Sequence, residues 1–114
     1  MNFTQEKPIY LQIAEVISER ILRGEFPPEG RIPSVREYSA ELGVNPNTMM
    51  RTYEHLTDGG IIYNKRGIGY FVTPEARDTI LSAERKLFLE KDLPAIRRRM
   101  ELLGIGPEIL TDRN

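Results

Sequence analysis

The seven residues from Asn45 to Arg51 carry two short amides, a hydroxyl and a guanidinium: Asn45, Asn47, Thr48 and Arg51. Such groups donate and accept hydrogen bonds at close range, and a guanidinium can grip two acceptors at once. Ser34 and Arg36 form a second polar pair, and Lys65 and Arg66 stand directly before Gly67-Ile68-Gly69. Small polar groups at a helix start can approach base edges and phosphate oxygens, while cations beside glycines bring charge and backbone up to a groove. The chemistry on offer is recognition of a polyanion such as DNA. Catalysis lacks its parts: there is no cysteine, His55 is the single histidine, and no glycine-rich phosphate loop joins a strand to a helix. With only His55 and carboxylates to offer, the chain is expected to hold no metal and no cofactor and not to be an enzyme.

The elements that must hold these groups are written in local signals. Pro8 opens a run in which Ile9, Ile13, Ile17 and Ile21 recur every four residues beside Leu11, Val16 and Leu22, with Gly24 as the stop; this predicts a first helix with a broad apolar face. Phe26-Pro27-Pro28-Glu29-Gly30 cannot continue it and delivers Arg31-Ile32 in extended form, with Ile32 placed to pair with a later hairpin. Ser34-Val35-Arg36-Glu37 fits a capping box, so a second helix starts there, with Val35, Tyr38 and Leu42 on one face and Gly43 at its end. Asn45 then caps a third helix, Pro46 suits its first position, and Met49, Tyr53 and Leu56 form the inward stripe; Asn47, Thr48, Arg51 and His55 face out. Gly59-Gly60 ends it. Ile61-Ile62-Tyr63 and Tyr70-Phe71-Val72 read as strands joined by Asn64 to Gly69, a wing with Lys65, Arg66 and Gly67 at its tip.

Beyond Pro74 the composition changes. One helical pattern runs from about Glu75 to Lys91 through Ala76, Ile80, Ala83 and Leu87, widened by Leu81 and Phe88; a second runs through Leu93, Ile96, Met100 and Leu103 to Gly104. Two helices cannot bury a core of their own. Their apolar faces must pack on the first domain, on a second subunit, or on both. The expected organisation is a winged helix-turn-helix domain over residues 1–74 and a small two-helix region over residues 75–114, a mainly α (α+β) fold.

Charge bounds the function differently. Sixteen Lys and Arg against seventeen Asp and Glu give a net charge of −1, so long-range attraction to phosphate cannot drive binding by itself. Within residues 31–70 five cations, Arg31, Arg36, Arg51, Lys65 and Arg66, meet four acids, Glu37, Glu41, Glu54 and Asp58. Binding to DNA would rest on placement, and the near-neutral balance also suits an alternative, a winged-helix protein-protein interaction module without specific DNA binding. Weighed singly, Ser34 and Asn45 are helix caps, the Lys65-Arg66 tip is a solvated hairpin, Arg97-Arg98-Arg99 is a solvated face, His55 is a helix-surface residue, and Tyr10, Tyr38 and Tyr53 are core side chains. Their order along the chain is what favours DNA. The 114 residues contain no apolar run long enough for a bilayer, and Met1 to Glu6 lacks the pattern of a leader, so no membrane role and a cytoplasmic location are expected.

Pro8-Ile9-Tyr10-Leu11-Gln12-Ile13, Arg31-Ile32-Pro33-Ser34-Val35-Arg36-Glu37, Val44-Asn45-Pro46-Asn47-Thr48, Arg51, Tyr53, Leu56 and Arg66-Gly67-Ile68-Gly69-Tyr70-Phe71-Val72 together resemble the N-terminal domain of GntR-type bacterial transcription regulators. The short tail, with Leu103-Gly104-Ile105 and Glu108-Ile109-Leu110, is similar to the YtrA-type subfamily, whose members carry two C-terminal helices for dimerisation. The resemblance implies that Ser34 and Arg36 hold phosphates, that Asn45, Asn47, Thr48 and Arg51 face the major groove, and that Arg66 and Gly67 lie at the wing tip, with Arg31 and Lys65 beside them. It implies a homodimer, joined through Ile80, Leu81, Leu87, Phe88, Leu93, Ile96, Met100 and Leu103, that represses a small operon, such as those of transporter genes, from a palindromic double-stranded operator. Half-sites would lie about one helical turn, ~34 Å, apart. A small-molecule effector has no signature in the chain. Tyr38 and Ser39 stand where the family usually has Leu and Ala, Met50 where the third helix is often polar or basic, and Tyr70 where Thr is common.

Overall fold

Ile13, Ile17 and Ile21 recur on one face of α1 (Ile9–Leu22) and are buried together with Ala14, while Ile9, in the first turn, stays exposed at the edge of that face. The computed structural model describes Phe3 and residues 6–111; Met1, Asn2, Thr4 and Gln5, part of the segment read above for a leader, lie outside the described residues. After the proline turn, α2 (Val35–Leu42) and α3 (Pro46–Asp58) follow, and α3 presents Met49, Tyr53 and Leu56 inward as its spacing predicts. Thr52 joins that stripe, fully buried, with its hydroxyl donating to the carbonyl of Tyr10 at 2.8 Å.

The wing is tighter than expected. β1 (Ile62–Lys65) and β2 (Gly69–Val72) pair antiparallel in the register Ile62 with Val72 and Lys65 with Gly69, so Asn64 and Lys65 belong to the strand and not to the loop. The Ile68 N–H donates to the Lys65 carbonyl at 2.9 Å, and Gly67 takes φ +79° at the third position of that turn. A turn of this kind needs a positive φ there, which glycine supplies without strain, and it reverses the chain within four residues. Gly30 to Ile32 pairs with β2 as anticipated for Ile32: Arg31 forms an isolated bridge with Phe71, and the Ile32 N–H donates to the Tyr70 carbonyl at 3.0 Å.

Residues up to Ile80 form one compact unit and those from Leu81 a second. The first therefore runs six residues past the expected boundary at Pro74. Ala76 and Ile80, on the first turns of α4 (Ala76–Leu87), are buried in its core, and the Arg77 guanidinium donates to the Leu22 carbonyl at 2.7 Å, satisfying an orphan acceptor at the end of α1. Within the second unit the two expected helices are not separated. α4 passes into a π-helical turn, Phe88–Asp92, and directly on into α5 (Leu93–Leu103), followed by a 3-10 turn, Pro107–Leu110. Pro94 explains the π turn: it has no N–H, and its ring would collide with the Glu90 carbonyl in a regular helix. The chain widens instead, and the Leu93 N–H donates to the Phe88 carbonyl.

Candidate nucleic-acid interface

The polar groups singled out in the sequence begin with two helix caps. At the start of α2, Ser34 Oγ accepts from the Glu37 N–H at 3.0 Å while the Ser34 N–H donates to the Glu37 carboxylate at 3.1 Å. The Ser34 N–H, and after it the Ser34 hydroxyl, hold the Glu37 carboxyl below its ordinary range. At the start of α3, Asn45 Oδ1 accepts from the Asn47 N–H at 2.8 Å, so capping uses the carbonyl side of that amide and leaves its NH2 group as a donor. Asn47 is exposed and Thr48 half-buried one turn into the helix.

Arg51 lies on the exposed side of α3, and its guanidinium carbon sits 4.1 Å from the centroid of the Tyr10 ring. His55, one turn on, meets the same ring edge-on at 5.9 Å. Tyr10 thus departs from the core role expected of it: it is half-buried and carries a basic side chain of the helix behind it. Tyr38 and Tyr53 are core residues as anticipated. The Tyr38 hydroxyl accepts from Arg20 Nη1 at 2.9 Å and its ring stands edge-on to Phe26, so a phenol fits between α1 and α2 in place of an aliphatic side chain. Ser39, buried beside it, donates to the Arg36 carbonyl.

Tyr53 fixes α3 against its neighbours. Its hydroxyl donates to the Pro33 carbonyl, just before α2, and its ring stands edge-on to Tyr70 of β2 at 4.9 Å. Burial pushes the Tyr53 phenol well above its ordinary range, so it stays a donor at neutral pH. One side chain therefore sets the α3 to α2 and α3 to wing relations, and Tyr70 has a packing role in that arrangement.

The wing residues follow the strand alternation. Tyr63, Lys65, Phe71 and the bridging Arg31 share the face opposite Ile62 and Val72. Tyr63 and Phe71 stack at 5.8 Å, and Lys65 Nζ lies 5.5 Å from the Phe71 centroid. Arg31 lies along the flank of the wing, from Phe71 toward Gly69 at the turn. A Cβ on Gly69, whose φ is +144°, would stand 2.9 Å from Arg31 Nε, so the absence of a side chain at Gly69 gives the guanidinium its berth. Arg66 and Gly67 are exposed at the tip and Arg36 is exposed on α2.

The ion pairs resolve the charge balance. Among the described residues the salt bridges are Lys7 with Glu15, Arg20 with Glu25, and Arg23 with Glu19, all on or near α1. None of them uses Arg31, Arg36, Arg51, Lys65 or Arg66, and all five of these cations are exposed. Glu37, whose charge Arg31 attracts, is hydrogen-bonded at the α2 cap.

The residues expected at a subunit contact divide. Ile80 does not belong with them: it is buried in the core of the first unit, because the first two positions of the α4 stripe face inward. Leu81, Leu93 and Met100 are half-buried, and Leu87, Phe88, Ile96 and Leu103 are exposed, joined by Leu89, Leu102, Ile105, Ile109 and Leu110. Sequence reasoning missed the contact of Tyr10 with Arg51, though the aromatic two residues after Pro8 was visible, and missed Tyr70 as the partner of Tyr53.

Known proteins share this arrangement. The chain is 38% identical over 107 residues to the uncharacterized HTH-type transcriptional regulator YhcF of Bacillus subtilis, covering 94% of this chain and 87% of that protein. It is 34% identical over 84 residues to the HTH-type transcriptional repressor YtrA of the same organism, covering 74% of this chain and 65% of that protein. Among solved structures it resembles a putative transcriptional regulator of the GntR family from Bacteroides thetaiotaomicron, with 45% identity, a TM-score of 0.76 and coverage of 91% and 90% of the two chains. It also resembles AraR(DBD) in complex with operator, with 30% identity, a TM-score of 0.58 and coverage of 64% of this chain and 88% of that one. Residues 9–72, more than half of the chain, match the family model for bacterial regulatory proteins of the gntR family, and the protein belongs to that family.

Proposed function

We propose that this protein is a homodimeric, sequence-specific DNA-binding transcription regulator that represses its target genes from a palindromic operator, acting in the cytoplasm where that DNA lies. The observation that carries the reading is the set of five exposed cations, Arg31, Arg36, Arg51, Lys65 and Arg66, none of them in an ion pair with a described residue, on a chain whose net charge is −1. An exposed cation without a protein counter-charge can replace condensed counterions on DNA, and releasing those ions drives binding. Asn45, Asn47, Thr48 and Arg51 are the major-groove candidates at the start of α3, Ser34 and Arg36 the phosphate ligands, and the Lys65-Arg66-Gly67 tip the wing contact. Met50, exposed on α3, offers an apolar contact suited to a thymine methyl. Residues up to Ile80 would read DNA and those from Leu81 would pair two copies. Repression has support in the likeness to YtrA, itself a repressor.

Selection of bound fragments from genomic DNA, followed by footprinting of the enriched duplex, tests the reading. A two-fold symmetric footprint is expected, with affinity falling steeply with salt, each neutralised phosphate adding ~0.9 to the log-log slope. Affinity indifferent to salt, or no enrichment over random fragments, would leave a protein-binding module instead.

A further inference from the structure

Tyr10 and Arg51 are far apart in sequence and face to face in the fold. The guanidinium carbon is 4.1 Å from the phenol centroid, well inside the distance at which a cation is held by the face of an aromatic ring. The platform is itself fixed. The backbone of Tyr10 is tied to α3 by the buried Thr52 hydroxyl, which donates to the Tyr10 carbonyl at 2.8 Å, and His55 closes on the ring edge one turn further along α3. Arg51 and His55 are spaced as neighbours on one helix face, so the ring lies against the same ridge of α3 from which Arg51 projects.

A stacked guanidinium is engaged through its flat face. Its N–H donors all lie in the plane of the group and point away from the ring, and they remain available. Arg51 has no ion pair among the described residues to occupy those donors. Reading a guanine edge requires two N–H donors aligned with O6 and N7, and the long arginine stem loses rotamer freedom to reach that alignment. A ring that holds the fork beforehand removes part of that loss, whereas a phosphate contact tolerates many orientations and gains little from it.

We propose that Tyr10, on α1 and outside the third helix, is a positioning residue for base recognition: it stacks on Arg51 and holds the fork in the plane in which it reads one base pair. This rests on the DNA-binding reading above.

The test uses the full chain and a library of duplexes with a randomised centre of about two helical turns. Wild type, Tyr10→Phe, Tyr10→Leu and Arg51→Ala are each carried through selection, and base preference is compared position by position. Tyr10→Leu keeps an apolar side chain of similar reach and the backbone carbonyl that Thr52 uses, but removes the ring. It is expected to lose preference at the same base pair as Arg51→Ala, with affinity for the wild-type duplex lowered about three- to thirtyfold and the salt slope unchanged. Tyr10→Phe, which keeps the face, should retain the wild-type profile. A DNA-free readout accompanies these: ring-current displacement of the Arg51 side-chain NMR signals is expected in wild type and Tyr10→Phe and lost in Tyr10→Leu.

An unchanged preference profile in Tyr10→Leu, or a uniform weakening at every position that follows a lowered thermal midpoint, overturns the proposal while leaving the DNA-binding reading intact. Tighter binding by Tyr10→Leu also overturns it, since the stack would then be withholding Arg51 from DNA. If wild type enriches no sequence from the library, the DNA-binding reading fails and this proposal falls with it.

Discussion

Among the described residues all fourteen buried apolar ones, from Ile13 to Ile80, lie in the first unit, whereas from Leu81 onward none is buried. The second unit is no less apolar along its length: Leu87, Phe88, Leu89, Ile96, Leu102 and Leu103 are all exposed. The same amphipathic spacing therefore has two fates, one satisfied inside the chain and one left for something outside it. Exposed apolar surface on this scale marks an interaction site more often than it marks a monomer's surface. On the palindromic operator proposed above, two reading heads would act together, and the unsatisfied helix is where the second copy would be recruited.

Truncation after Ile80 puts the comparison at greatest risk. The shortened chain is expected to stay folded but to sediment as a monomer, with operator affinity reduced about a hundredfold or more through loss of the second reading head. A truncated protein that remains dimeric would move the subunit contact into the first unit. Cutting at Pro74 should do something different, because it removes Ala76 and Ile80 from the core and the Arg77 cap from α1. That version is expected to unfold at a visibly lower temperature than the one ending at Ile80.

Two isoleucines from the two regions sharpen the contrast. Ile80, only 3% exposed, is expected to cost about 2–5 kcal/mol of unfolding free energy as Ile80→Ala, at any protein concentration. Ile96, 41% exposed, should leave the monomer nearly unaffected as Ile96→Ala and weaken only the dimer, so that its thermal midpoint depends on concentration. Equal, concentration-independent losses in the two variants would erase the distinction between the regions.

These contrasts also mark what the sequence could tell. Capping boxes, prolines at helix starts and the glycine-tipped hairpin are local, and Ser34, Glu37, Asn45 and Gly67 all act within a few residues of where they stand. Ala76 and Ile80 share one stripe with Ala83 and Leu87, and periodicity identifies a buried face without saying what buries it, which is why the boundary moved from Pro74 to Ile80. The two helical patterns read on either side of Asp92 did not show that the chain stays helical between them, since a widened turn and a loop both relieve the N–H that Pro94 lacks. The stack of Tyr10 on Arg51 and the contact of Tyr53 with Tyr70 join residues distant in sequence, and helical spacing alone gave each tyrosine the same reading.

Within the first unit, Tyr53→Phe should cost about 1–3 kcal/mol of stability, because the ring and its edge contact with Tyr70 remain while the Pro33 carbonyl loses its donor. Chemical denaturation measures this directly. For the reading face, Arg51→Ala is expected to weaken operator binding by ~1–3 kcal/mol and to relax preference at one base pair. Equal weakening on operator and random duplexes would reassign Arg51 to a phosphate.

The smallest effect concerns Glu37, fully exposed and engaged chiefly in the α2 cap, with a lesser attraction to Arg31. Its carboxyl is held below its ordinary value of 4.5 in the folded chain, chiefly by the Ser34 N–H, so the folded state favours the ionised form more than the unfolded chain does. Its contribution to stability is present above the unfolded value and is lost as pH falls through the lowered folded one. A thermal midpoint followed from neutral pH into the acid range should therefore drop less steeply in Glu37→Gln than in wild type. The glutamine keeps an oxygen for the Ser34 N–H but carries no titrating charge, so at neutral pH it should melt slightly below wild type, and the two curves should converge at the acid end. Parallel curves would mean that the α2 cap acts through its hydrogen bonds alone, and that the charge of Glu37 contributes nothing to the fold of the reading head.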